Sequence, residues 1–156
     1  MENTLTVRIQ GCVSSRVRLG RGGKEGANAT PFFWNQVVDY TVAPLLPSWA
    51  TKGWDNQDGM QSISNLIWAD DIFLISSNWD DMKSMCQDLI DRINQCGLDW
   101  KPSSLTYMAN ECALSQAAPS TIDVRSHGSL MSFKAVPALP VLGILLDGKQ
   151  NNSDQL

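Results

Sequence analysis

Three features of the sequence predict an α+β fold. Period-two alternation runs near the N-terminus, two apolar runs flank a pair of aspartates, and a stripe of helical period follows them. Leu5, Val7 and Ile9 alternate with Thr6, Arg8 and Gln10, the pattern of a half-buried strand. After the turn-rich Gly11–Ser15, Val17 and Leu19 alternate with Arg16 and Arg18, which predicts a hairpin with arginines on one face and aliphatics on the other. Leu66-Ile67-Trp68 and Ile72-Phe73-Leu74-Ile75 predict a second hairpin with Asp70 and Asp71 at its tip. Met82, Met85, Cys86, Leu89, Ile93 and Cys96 then recur at three- and four-residue intervals, an amphipathic helix that Asn78 caps and Gly97 ends.

The remaining elements fall between and after these. A glycine-rich stretch, Gly20 to Gly26, leads to Thr30-Pro31, a hydroxyl N-cap followed by a proline where no backbone N–H is needed. Phe32 to Val42 is rich in large apolar residues and is closed by Pro44 and Pro47, so it predicts the first helix. Residues Ser48 to Met60 read as a polar connection. Strands are predicted near Leu105–Met108, Met131–Ala135 and Val141–Leu146, and residues 148–156 form a polar tail that frays. The expected organisation is one domain over residues 1–147 followed by that tail.

The composition is that of a globular chain: of 156 residues, 43% are hydrophobic and 18% charged. The net charge is −4, but its distribution is uneven. Arg8, Arg16, Arg18, Arg21 and Lys24 occur with no acidic residue among them, whereas nine Asp between Asp55 and Asp99 face only Lys83 and Arg92. A basic end beside an acidic middle suits a phosphate-facing surface next to a metal site, and equally suits two solvated faces of opposite sign. Cys12, Cys86, Cys96 and Cys112 contain no CxxC pair, which gives no zinc signature and no secreted disulfide framework. Met1-Glu2-Asn3-Thr4 lacks the basic start and apolar core of a signal peptide, and no apolar run approaches a membrane span. The expectation is an intracellular, nuclear or cytoplasmic protein that is not secreted and has no membrane partner. His127 is the only histidine and no Gly-x-Ser-x-Gly elbow occurs, so a Ser/His/Asp mechanism has no support.

Asp70 and Asp71 are the residues with chemistry to offer. Adjacent carboxylates between apolar strands repel and are poorly solvated, and a divalent cation relieves both costs. Two-metal sites use such carboxylates to clamp the attacking and leaving oxygens of a phosphoryl transfer. Mg²⁺, or Mn²⁺ in its place, prefers hard oxygen ligands and takes only one or two protein carboxylates, with water and phosphate filling the rest. A solvent-exposed Asp-Asp turn is the competing reading.

The surroundings of the pair carry a resemblance. Trp68-Ala69-Asp70-Asp71 between two apolar strands resembles the aromatic-Ala-Asp-Asp hairpin of reverse transcriptases. The strand, helix and Gly97-Leu98-Asp99-Trp100-Lys101-Pro102-Ser103 that follow are similar to the strand, helix and Gly-Leu-x-x-Asn-Pro-Ser-Lys segment of non-LTR retrotransposon enzymes. Upstream, Arg21-Gly22-Gly23-Lys24-Glu25-Gly26 through Thr30-Pro31-Phe32-Phe33-Trp34-Asn35 is similar to the family's Arg-Gly-x-x-Gln-Gly-x-x-x-Ser-Pro-x-x-Phe-Asn segment. Downstream, Val141-Leu142-Gly143-Ile144 resembles the apolar-Leu-Gly segment of the primer grip. These stretches, in order, span most of residues 5 to 147.

The resemblance implies a polymerase palm-like antiparallel sheet with two helices packed on one face. It implies RNA-templated DNA synthesis, with RNA template, DNA primer and deoxynucleotides as partners and Mg²⁺ held by Asp70, Asp71 and a carboxylate outside this chain. Arg21, Gly22 and Gly26 would line the nucleotide and template side, where glycine lets a backbone approach and arginine meets phosphate. Trp68 suits core and site equally.

Departures from the family pattern set the expected activity. Glu25 stands where the family has Gln, Ala27-Asn28 where it has Asp-Pro, Thr30 where it has Ser, and Ser104 where it has Lys, with Lys101 three residues away. The third carboxylate has no counterpart upstream of Arg21, where Glu2 is the only acidic residue, and the fingers that precede it have none either. Positioning catalysis is steep, a 1 Å misplacement costing on the order of 100-fold. The chain is therefore expected to be an incomplete or decayed copy, inactive alone. The alternative is a non-catalytic palm remnant that binds nucleic acid or protein. An unrelated metal-dependent hydrolase would need a further His or Glu ligand that the sequence does not offer.

Overall fold

The computed structural model describes residues 4–6, 8–9, 12–13, 15, 17–18, 28–54, 62–110 and 118–148. The fold is mixed α+β, with small, mostly antiparallel sheets and three helices among the described residues. The chain divides into two compact units, Met1–Gln36 and Val37–Leu156.

In the first unit, β1 (Thr4–Leu5) pairs with β4 (Val17–Arg18), and β2 (Arg8–Ile9) pairs with β3 (Cys12–Val13), all antiparallel. The outer pairing Leu5↔Val17 is the predicted hairpin. A second, separate antiparallel pair joins Arg8 to Val13 and Ile9 to Cys12, so part of the stretch predicted as turn is strand.

Helix α1 spans Thr30–Val42, with Phe33 N–H bonded to Ala29 O at 3.1 Å, so Ala29 takes the cap position and Thr30, the predicted cap, is the first helical residue. Pro44 stops it, and α2 (Leu46–Trp49) restarts for one turn with Pro47 near its beginning. In the second unit Val38, Thr41, Val42 and Trp49 are buried.

Helix α3, Trp79–Gln95, organises this unit. Asn78 caps it by accepting from Asp81 N–H at 2.8 Å, and Asp80 and Asp81 complement the positive end of its dipole. Its end is a Schellman motif: Gly97, at φ 70°, donates to Asn94 O at 2.9 Å, and Leu98 donates to Ile93 O at 3.2 Å. Met85, Cys86, Leu89, Ile90 and Ile93 form its buried stripe. Arg92 ties α3 to α1, its guanidinium 4.8 Å above the Tyr40 ring and donating to Tyr40 O at 3.2 Å.

That stripe packs on a three-stranded sheet of β7 (Thr106–Tyr107), β9 (Ser129–Ala135) and β8 (Thr121–Ser126), ordered β7-β9-β8 with β7 parallel to β9. Cys86, Ile90 and Val124 are the centre of the core, and Leu74, Met82, Trp100, Met131 and Phe133 close around it. Burial pushes the Cys86 thiol up to about 12. The native state thus keeps a proton that the unfolded chain releases above pH 9. Stability present below that pH should fall through the interval to pH 12, by up to about 1.4 kcal/mol per pH unit, as denaturant titrations at successive pH values will show.

Two side chains of α3 finish β8. Gln87 Nε2 donates to Arg125 O at 2.9 Å while Arg125 N–H donates to Gln87 Oε1 at 2.8 Å, and Asn94 Nδ2 donates to Ser126 Oγ at 3.0 Å. On β8 itself, the hydrogen bond that Ser132 Oγ donates to Asp123 Oδ1, 2.7 Å, holds that carboxyl below its ordinary value.

β10 (Ala138–Val141) and β11 (Ile144–Asp147) form a separate hairpin. The single strand predicted over Val141–Leu146 is therefore broken at Leu142-Gly143, where both residues have positive φ, 50° and 84°, as a type I′ turn requires. Leucine pays for a left-handed backbone that asparagine adopts readily. Leu142 is 56% exposed, so little packing is at stake. Leu142→Asn should raise stability by about 1 kcal/mol, read as an upward shift in denaturation midpoint.

Among the described residues no helix is long and apolar enough to cross a membrane.

Candidate functional site

β5 (Asn65–Trp68) and β6 (Asp71–Leu74) pair antiparallel in the register Asn65↔Leu74, Leu66↔Phe73, Ile67↔Ile72 and Trp68↔Asp71. The ladder is extended at its base by Ile75 N–H to Ser64 O, 2.8 Å, and by an antiparallel bridge between Ile63 and Trp54. Ala69-Asp70 is the two-residue connection. Ala69 has φ 52° and Asp70 does not have positive φ, the order found in a type II′ turn, whose first central position usually belongs to glycine. Asp70 thus sits in the turn and Asp71 on the first rung, opposite Trp68.

Directly paired residues share a face, and successive residues alternate between faces. Leu66, Trp68, Asp71 and Phe73 are accordingly on one side, and Ile67, Ile72 and Leu74 on the other, where Leu74 reaches the core beside α3. Trp68 is 64% exposed, which removes it from the core. It belongs to a face on which Leu66 is exposed too, and Asp71 stands beside it.

Asp70 and Asp71 are both exposed. The electrostatic cost inferred from their apolar neighbours in sequence does not arise, because water reaches both carboxylates. Two hydrated carboxylates suit a magnesium ion that keeps most of its waters, and they fall short of a two-metal centre. Among the described residues no group of three or more His, Cys, Asp and Glu side chains could hold a metal ion.

The other sequence-selected residues are dispersed or undescribed. Arg21, Gly22 and Gly26 lie outside the described residues, as do Arg16, Glu25 and Ala27. Lys101 precedes a 3₁₀ turn, Pro102–Ser104, in which Ser104 is exposed. The Val141–Ile144 segment is the β10–β11 turn. His127 occupies the β8–β9 turn and is exposed, with Nε2 3.7 Å from Asp99 Oδ1. Cys86 and Cys96 are free thiols. Tyr107, its hydroxyl donating to Pro119 O and its ring edge-on to Trp79, is pushed up by burial.

Comparisons with protein-family models, with curated proteins and with solved structures find no match.

Proposed function

We propose that this chain is part of a reverse transcriptase-like palm whose intact protein carries out RNA-templated DNA synthesis, and that the chain alone does not polymerise. The observation that carries this reading is the seating of Asp70 and Asp71 at the tip of an antiparallel hairpin, with α3 following and packing beside it. The ordered resemblances on either side of that hairpin support it. In the intact protein Mg²⁺ would supply charge neutralisation at the reacting phosphate. Asp70 and Asp71 would hold it together with a carboxylate from outside this chain, while Arg21, Gly22 and Gly26 would face nucleotide and template. Such a protein works within the cell, in nucleus or cytoplasm, on nucleic acid and not on a membrane.

The exposure of both carboxylates favours a second reading, a palm remnant that binds nucleic acid or protein without catalysis. Glu25, Ala27 and Ser104 favour it as well.

One set of measurements separates the two. Titrated Mn²⁺ should broaden the amide NMR signals of residues 69–72, and the effect should vanish in Asp70→Ala/Asp71→Ala; undisturbed signals in the native chain would remove the metal site. Primer extension on an RNA template with Mg²⁺ should yield no product from the isolated chain, and product lost on Asp70→Ala would overturn the claim that it is inactive. Salt-sensitive binding to an RNA–DNA hybrid without Mn²⁺ broadening would select the remnant.

A further inference from the structure

We draw no further inference here: the strongest candidate, the exposed apolar face of the β5–β6 hairpin around Leu66 and Trp68, carries nothing because no feature of the described residues shows what covers it.

Discussion

Trp49→Ala should cost about 3–5 kcal/mol of folding stability, the range for deleting a buried aromatic side chain. Trp49 is 0% exposed and is the largest fully buried side chain among the described residues, so its removal opens a cavity that rigid neighbours fill only in part. It also breaks a bridge between elements. The indole N–H donates to Asp88 Oδ2 at 3.1 Å, and Lys52 Nζ lies 3.6 Å from the same oxygen and donates to Ser84 Oγ at 2.8 Å. One aromatic ring thereby joins α2 and the segment after it to the middle of α3. With typical domains stable by only about 5–15 kcal/mol, such a loss is a large share of the total. Trp49→Phe keeps most of the volume and loses the hydrogen bond, for which about 1 kcal/mol is expected. Urea unfolding of the three proteins measures both effects. Equal midpoints for native and Trp49→Ala proteins would mean that α2 does not dock as described.

The second large effect is expected at Gly53. A β-carbon there would lie 2.6 Å from the carbonyl oxygen of Ile63 and 2.7 Å from its carbon, with Ser62 Oγ at 2.5 Å. Ser62 could rotate, but the Ile63 carbonyl is held by Trp54 N–H at 2.9 Å and cannot move without opening the bridge at the base of β5. Gly53→Ala should therefore destabilise by about 2–3 kcal/mol, the upper part of the range for overpacking. Gly97→Ala is the informative comparison. Gly97 has φ 70° with nothing within 4 Å of the added carbon, so only the left-handed backbone resists, at about 1 kcal/mol. If both substitutions cost the same, the close approach at Gly53 is not what demands glycine.

How much of this was readable beforehand differs from element to element. The α3 helix was legible in full, because cap, amphipathic stripe and terminating glycine all agree, and each acts within one turn of its neighbours. Ile90 completes the buried stripe, four residues after Cys86, in addition to the predicted members. Strand β8 is not among the predicted strands, although Ile122, Val124 and Ser126 alternate with Thr121, Asp123 and Arg125 and the His127-Gly128 turn follows. The β10–β11 hairpin was hidden for a physical reason: leucine occupies a turn position where asparagine or glycine would have announced it, so Val141–Leu146 reads as one apolar strand. At the candidate site, the placement of Asp70 and Asp71 at a hairpin tip was legible from the two apolar runs. Their exposure was not, because apolar flanks suggest burial, and whether a two-stranded ribbon is covered depends on parts of the fold distant in sequence.

The amide of Gln87 has a chemical consequence of its own. That amide turns one N–H and its carbonyl oxygen toward Arg125, the complement of a single peptide unit, so there it stands in for one rung of a neighbouring strand without providing the next. To an approaching chain β8 is already terminated there. The protection rests on nitrogen: deamidation of Gln87 to glutamate would leave the Arg125 carbonyl facing an oxygen with no proton to give. It would also set a new carboxylate beside Asp91, whose Oδ1 now accepts from the same nitrogen at 2.9 Å. A slow covalent ageing reaction, changing one atom for another of nearly the same size, would thus reopen the outer strand of the sheet to a foreign β-strand.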